Sequence, residues 1–244
     1  MKNKKNKLIC IIPARGGSKG LKNKNIRRVN GHPLIAYVIS TAKQTKIFDS
    51  IFVTTDNKKI AQIAKNYGAE VPFLRKKQFA EDDTTTEATL KNALNEYEKF
   101  KNTKFDICVF MTPTDIFRKN EDIKKVVNYL INDKKLESCF SVRPTHKNYW
   151  HYDSSKKIKR ILNSMKKYSS RQLKSPIYRE DTGLVCASRA NLWRKGKRIG
   201  DNVKIIVNDN PIDIDVHDAY DLYLVRKTFS YFKKRNPKHL PKIN

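Results

Sequence analysis

An apolar run, Leu8-Ile9-Cys10-Ile11-Ile12, leads directly into Pro13-Ala14-Arg15-Gly16-Gly17-Ser18-Lys19-Gly20-Leu21-Lys22-Asn23-Lys24-Asn25-Ile26. A short run of this kind, closed by Pro and Gly, reads as a β-strand. Glycines let the following backbone take positive φ and approach a ligand closely. Successive N–H groups in such a loop form a concave anion site. Arg15, Lys19, Lys22 and Lys24 bring more positive charge than one carboxylate needs, and suit a triphosphate. The stretch is therefore a phosphate loop after the first strand of an α/β domain. It follows neither common pattern. A Walker loop requires G-x-x-x-x-G-K-[ST], and here Gly20 precedes Leu21-Lys22; a dinucleotide loop requires G-x-G-x-x-G, and the glycine spacing differs.

Strand and helix signals alternate through the first half. Residues 33–42, 58–67, 86–99 and 120–131 have helical spacing, with Gly68 closing the second helix and Thr85 or Thr86 capping the third. Residues 50–55, 71–74 and 106–111 read as strands. This alternation predicts a parallel sheet with helices on both faces. Ligands of such sheets lie beyond the carboxyl ends of the strands, where the phosphate loop, Asp56 and residues 112–118 all fall. Residues 138–142 are a further strand. Residues 143–179 lose helical periodicity and gather Tyr149, Trp150, Tyr152, Tyr168 and Tyr178 among lysines, as expected of an excursion carrying a hairpin or lid. These rings could stack on a base, though packing in a dimer or lid suits them better. Strands are expected again at 183–187 and 208–215, then a helix over 218–232. The organisation expected is an α/β domain from 1–142 and 183–232, the excursion at 143–182, and a frayed basic tail at 233–244.

Formal net charge is +28, from 52 Lys and Arg against 24 Asp and Glu, which attracts anionic ligands in general. The charge is spread along the chain and is mostly Lys, which fits solvated faces better than a dedicated nucleic-acid surface. Cys10, Cys108, Cys139 and Cys186 are widely separated and suit buried free thiols in a reducing cytoplasm. His146, His151 and His217 have no zinc spacing. No run approaches the roughly 20 apolar residues of a membrane span, and the apolar start is too short for a secretion signal.

The segments Ile12-Pro13-Ala14-Arg15-Gly16-Gly17-Ser18-Lys19-Gly20 and Lys24-Asn25-Ile26 resemble the opening motif of the acylneuraminate cytidylyltransferase family. Gly31-His32-Pro33-Leu34-Ile35, Val53-Thr54-Thr55-Asp56, Arg75 to Asp82, Ser170-Arg171-Gln172 with Tyr178-Arg179, and Ile212-Asp213-Ile214-Asp215 resemble later motifs in order, over roughly residues 8–225. The resemblance implies a Rossmann-like, mostly parallel sheet of the nucleotide-diphospho-sugar transferase type. It implies Mg²⁺-dependent transfer of CMP from CTP to an acidic sugar, a nonulosonic acid, with release of pyrophosphate. Ala14, Arg15, Gly16, Gly17, Ser18, Lys19, Lys24 and Asn25 would hold the triphosphate side. Arg75, Asp82 and Thr85 would lie near cytosine and ribose. Thr112, Arg171, Gln172 and Arg179 would meet the sugar. Asp213 and Asp215 would hold Mg²⁺, with Asp215 also a candidate proton acceptor beside the catalytic Arg15 and Lys19. On residue chemistry alone, a strand over Asp213–Asp215 puts both carboxylates on one face, and such a pair calls for a cation or proton between them. A homodimer, with Arg171 reaching a neighbour's site, is also implied.

The chain departs from the family at Thr112-Pro113-Thr114-Asp115-Ile116-Phe117-Arg118, where the family has Gln-Pro-Thr-Ser-Pro-x-Arg. Thr112 has a shorter reach and a single hydroxyl in place of the amide. Asp115 adds charge near the acceptor or caps the next turn. A Kdo-like sugar or a phosphonate remains an alternative acceptor, and a basic nucleic-acid-binding module the alternative from another class; no known nucleic-acid motif supports the latter.

Overall fold

The computed structural model describes residues 6–166, 168 and 170–243. The chain runs β1 (Leu8–Pro13), β2 (Arg28–Val29), β3 (His32–Pro33), α1 (Leu34–Thr45), β4 (Ser50–Thr54), α2 (Lys58–Asn66), α3 (Thr86–Lys101), β5 (Ile107–Phe110) and α4 (Asn120–Asn132). It continues with β6 (Ser138–Thr145), β7 (Trp150–Tyr152), β8 (Ile158–Arg160), β9 (Ile177–Glu180), β10 (Cys186–Arg189), α5 (Ala190–Arg194), β11 (Val203–Val207) and α6 (Ala219–Arg235).

Leu8 to Ile12 are all buried, because β1 lies inside the sheet and is covered on both faces. The sheet has seven strands in the order β11-β6-β10-β5-β1-β4, with β9 added to β6. Pairing is parallel at β1–β4, β1–β5 and β6–β11, and antiparallel where β10 sits between β5 and β6. The period-2 alternation of β1 divides its side chains between two cores. Leu8, Cys10 and Ile12 pack with Ile35 and Val38 of α1, Ile60 of α2 and Ile123 of α4. Ile9 and Ile11 pack with Leu90 and Leu94 of α3 and Trp193 of α5. A third core joins Leu21 of the glycine loop, Tyr37, Ile116, Ile212, Val216 and Leu222. It binds the first loop to the last connection of the chain and so positions the site.

The local chemistry explains the helix starts. Asn57 accepts from the N–H groups of Lys59 and Ile60 at the head of α2, and Thr85 accepts from Ala88 at the head of α3. Asp218 and Asp221 form a capping box at the head of α6. Gly68 takes φ 91° after α2, as a helix-closing glycine should. The four cysteines are free and buried, and burial raises their thiol pKa values. Among the described residues, no helix is long and apolar enough to cross a membrane.

Four expectations require correction. Residues 71–74 form no strand: only Glu70 bridges to Phe52, and Pro72, lacking an N–H, cannot extend the pairing. Residues 208–215 are irregular, and the last strand is β11 before them. Their backbone is satisfied by side chains: Asn208 Oδ1 accepts from Asn210 N (3.0 Å), Asn210 Oδ1 accepts from Ile212 N (3.0 Å), and Arg143 donates to the carbonyls of Asn210 (2.9 Å) and Ile212 (2.7 Å). The tail docks where fraying was expected. The carbonyl of Lys242 accepts from Gln44 Nε2 (2.9 Å), and Leu240 and Ile243 pack on the third core. The returning strand β10 also begins later than residue 183, because Gly183 and Leu184 form a turn. Between β6 and β9 the chain leaves the sheet and forms the β7–β8 hairpin.

Candidate active site

A cleft of about 560 Å³ opens beyond the carboxyl ends of β1 and β5, lined by Arg15, Ser18, Lys19, Lys24, Arg75 and Thr112 among others. That volume suits a nucleotide-sized ligand. Its shape follows from how the glycine loop is tied down. Ala14 N donates to Thr54 O (2.9 Å), Gly16 N to Asp56 Oδ1 (2.8 Å), and buried Asn25 Nδ2 to Arg15 O (2.9 Å). Gly20 lies against the backbone of His217: a Cβ there would sit 2.6 Å from the His217 carbonyl oxygen. Only glycine permits that approach, which brings the loop to the segment carrying Asp215. Gly17 has open space around it.

Two of the loop cations are paired internally. Asp82 accepts from Arg15 (2.9 Å) and Lys19 (2.8 Å), and Arg15 also donates to the Glu81 carbonyl (3.1 Å). The hydrogen bond from Lys19, followed by that of Arg15, lowers the Asp82 pKa. Lys24 is half-buried; desolvation lowers its pKa, and the negative charge of Asp215 opposes that. Arg75 is buried, donating to the carbonyls of Thr54 (2.8 Å) and Phe79 (3.1 Å). Burial lowers its pKa to about 10, so it stays charged and braces the far wall. Thr85 caps α3 and does not line the cleft; its neighbours Thr84 and Thr86 do.

The acidic side is arranged differently from an alternating strand. Asp213 faces two arginines: Arg179 Nη2 reaches both its oxygens (2.9 and 3.1 Å), and Arg143 Nε lies 2.9 Å from Oδ1. Asp215 Oδ2 is 3.1 Å from His217 Nε2, while its Oδ1 is buried with no hydrogen-bond partner among the described residues. Residues 213–215 form no strand, so strand alternation does not set the two carboxylates on one face. Among the described residues, no three His, Cys, Asp or Glu side chains are gathered as a metal site. Asp115 is 6% exposed and accepts from the Thr112 hydroxyl (2.8 Å), rather than capping a backbone N–H. Burial first, then the nearby Asp215, pushes its pKa up to about 7.

Arg171 and Gln172 are exposed and outside this cleft; Arg171 lines a separate cavity of about 550 Å³ with His146, Lys147, Tyr168 and Lys174. Residue reading missed three contributors. Arg143 fixes Asp213 and the backbone of 210–212. Buried Arg118 clamps Thr112 to Gly183 and Leu184. His217 pairs with Asp215. Arg143 carried one signal, a charge at the end of an apolar strand run.

A sequence model of the cytidylyltransferase family matches residues 9–242, and the chain belongs to that family, whose members are nucleotidyltransferases. It is 30% identical over 227 residues to CMP-N,N'-diacetyllegionaminic acid synthase of Legionella pneumophila, covering 91% of this chain and 95% of that protein. It is 29% identical over 219 residues to post-translational flagellin modification protein B of Campylobacter coli, covering 89% and 93%. Among solved structures, CMP:2-keto-3-deoxy-manno-octonic acid synthetase complexed with CTP superposes with a TM-score of 0.67 at 15% identity, over 92% of this chain and 99% of that one. That likeness establishes the nucleotide-diphospho-sugar transferase fold.

Two outcomes are expected. Asp82→Asn removes the internal partner of Arg15 and Lys19, so CTP should bind about two- to fivefold more tightly by calorimetry, the range of exposed ion pairs. Unchanged or weaker binding would show that Asp82 does not compete with the nucleotide. Asp115 concerns stability. Its carboxyl ionises near pH 3.9 in an unfolded chain but keeps its proton to about 7 in the native one. The stability it contributes is therefore full below about pH 4 and is lost as pH rises through about 7. In chelator-treated protein, Asp115→Asn should raise Tm at pH 8 and change it less at pH 5. An equal change at both pH values would contradict the shift.

Proposed function

We propose that the protein transfers CMP from CTP to an oxygen of an acidic sugar, a nonulosonic acid such as legionaminic, pseudaminic or N-acetylneuraminic acid. The observation that carries this reading is the convergence of Arg15, Lys19 and Lys24 on one cleft, with Asp215 near enough to Lys24 for its charge to act on it, in a cytidylyltransferase. The acceptor class follows the CMP-sugar synthases and the pseudaminic acid cytidylyltransferase of Campylobacter jejuni, 40% identical over 131 residues.

In this reading, Arg15 and Lys19 exchange Asp82 for the triphosphate. Backbone N–H groups of Gly17 and Ser18 add donors to the same anion, while that of Gly16 is held by Asp56. The acceptor oxygen attacks the α-phosphorus, and the bond to the bridging oxygen breaks. Pyrophosphate leaves with that electron pair, and the acceptor's proton passes to Asp215 or water. Catalysis is positioning and charge neutralisation. The donor set suits Mg²⁺, which takes one or two carboxylates and completes its shell with substrate phosphates. Asp215, with one oxygen unpartnered among the described residues, would hold the ion, and Asp213 would join it only if its arginines were drawn away. Mg²⁺ would supply charge neutralisation on the phosphates. Arg179, and Arg171 from a neighbouring subunit, suit the sugar's carboxylate. The use of CTP fits the cytoplasm.

Pyrophosphate release with CTP and Mg²⁺ should occur with one sugar of a panel holding N-acetylneuraminic, legionaminic and pseudaminic acids and Kdo. ATP, GTP and UTP should fail, and Asp215→Asn should lower the rate about a hundredfold or more. No release with any sugar, together with no CTP binding, would sink this reading.

The functional unit is a homodimer joined through the excursion. Tyr152 (72% exposed), Tyr168 (74%) and Leu173 (80%) leave an apolar surface there without cover within the chain. Light scattering should give twice the 28.5 kDa of one chain. A single-chain mass at micromolar concentration would overturn the dimer.

A further inference from the structure

The wall of the cleft formed by Thr112 and Pro113 has an unusual hydrogen-bonding polarity. Thr112 N donates to Gly183 O (2.9 Å), and Arg118 Nη2 donates to the same oxygen (3.1 Å). A carbonyl oxygen has two lone pairs, so these two N–H donors use its capacity. The Thr112 hydroxyl stands farther from that carbonyl, at 3.2 Å, and only 2.8 Å from Asp115 Oδ2. A hydroxyl carries one hydrogen, and here it is committed inward to the carboxyl. An ionised Asp115 can only accept; when it is protonated, the same direction holds with the proton on Oδ1, which leaves Oδ2 as the acceptor. Pro113, the next residue on the wall, has no N–H. Neither residue therefore offers a free donor to the cleft, and Thr112 keeps lone pairs to present.

The arrangement is built in. Arg118 also donates to the carbonyls of Thr112 (2.7 Å) and Leu184 (2.9 Å), locking the two segments together. Gly183 leaves the room it requires: a Cβ there would lie 2.2 Å from Asp115 Oδ2 and 3.0 Å from Thr112 Oγ1.

We propose that Asp115 fixes Thr112 as a one-way hydrogen-bond acceptor, and that this wall selects acceptor sugars presenting an N–H or O–H donor to it. The proposal rests on the sugar-cytidylyltransferase reading above and adds the polarity of one contact. It also sets the orientation of the sugar. A carboxylate or carbonyl turned toward Thr112 would meet lone pairs backed by Asp115, so the acid group must face the arginines.

The test uses the full-length enzyme with CTP, its best acceptor, and analogues in which each amide N–H is methylated or each hydroxyl removed in turn. For the wild type, one analogue should lose about tenfold or more in kcat/KM, since a site built to pair with a donor rejects its absence. Thr112→Val should show a similar loss on the parent sugar and no further loss on that analogue. Thr112→Ser should stay within about threefold of wild type, and the KM for CTP should hold in both variants. Asp115→Ala, which frees the hydroxyl hydrogen, should narrow the penalty on the analogue. If Asp115→Ala fails to fold, the two Thr112 variants decide alone. The same parent-to-analogue ratio in wild type and Thr112→Val, or a parallel rise in the KM for CTP, overturns the proposal while leaving the cytidylyltransfer reading intact. A wild type that turns over no acceptor overturns the proposal, and one that also binds no CTP overturns the cytidylyltransfer reading with it.

Discussion

The close approach of Gly20 to the His217 carbonyl is the contact on which the site depends. The glycine loop follows the first strand, and Asp215 comes just before the last helix, nearly the whole chain away. Side-chain volume at position 20 would hold these segments apart. Around the contact, Leu21, Ile212, Val216 and Leu222 form an apolar core that keeps it closed. Cations and carboxylates thus share one cleft because apolar burial, which is non-directional, is combined with a backbone contact that tolerates no side chain.

The charges gathered there are incompletely balanced. Burial disfavours the ammonium of Lys24 and the carboxylate of Asp115, while Asp215 supports the first and opposes the second. Arg118 and Arg75 are buried guanidiniums held mainly by backbone carbonyls, and neither saturates its donors: Arg75 Nε and Arg118 Nη1 have no partner among the described residues. Carboxylates act on both through charge, Asp56 on Arg75 and Asp115 and Asp215 on Arg118. Arg75 lines the cleft, so its charge faces an anionic ligand there, in a medium where each interaction is stronger than in water.

Much of this fold is legible from local patterns, because the strands and helices near the phosphate loop follow apolar periodicity and standard capping. The failures have physical causes. At residues 208–215 the apolar alternation suggests a strand, yet Asn208 and Asn210 form side-chain turns and Pro211 removes a donor. Turn chemistry outranks alternation there. At 71–74 one proline has the same effect. The partners of Asp213 were out of reach of any local pattern, since Arg143 and Arg179 come from paired strands and register decides which side chains meet. Arg171 and Gln172 lie in the excursion, whose position relative to another copy is not a property of one chain's sequence pattern.

The ion pairs of the cleft suggest how ligands would enter it. Asp82 occupies Arg15 and Lys19, which the proposed roles assign to the triphosphate; Arg143 and Arg179 occupy Asp213, assigned to the cation. Each internal partner is of the sign the substrate complex would supply. Binding then exchanges one ion pair for another instead of dehydrating bare charges, so the net gain per contact is small. The exchange is also ordered by charge. A triphosphate displaces Asp82, and a sugar carboxylate that takes Arg179 loosens Asp213 beside Asp215. In the proposed reading, the acidic group of the acceptor would free one side of Asp213 while Arg143 still holds the other, so the sugar alone would not clear that carboxylate for a cation.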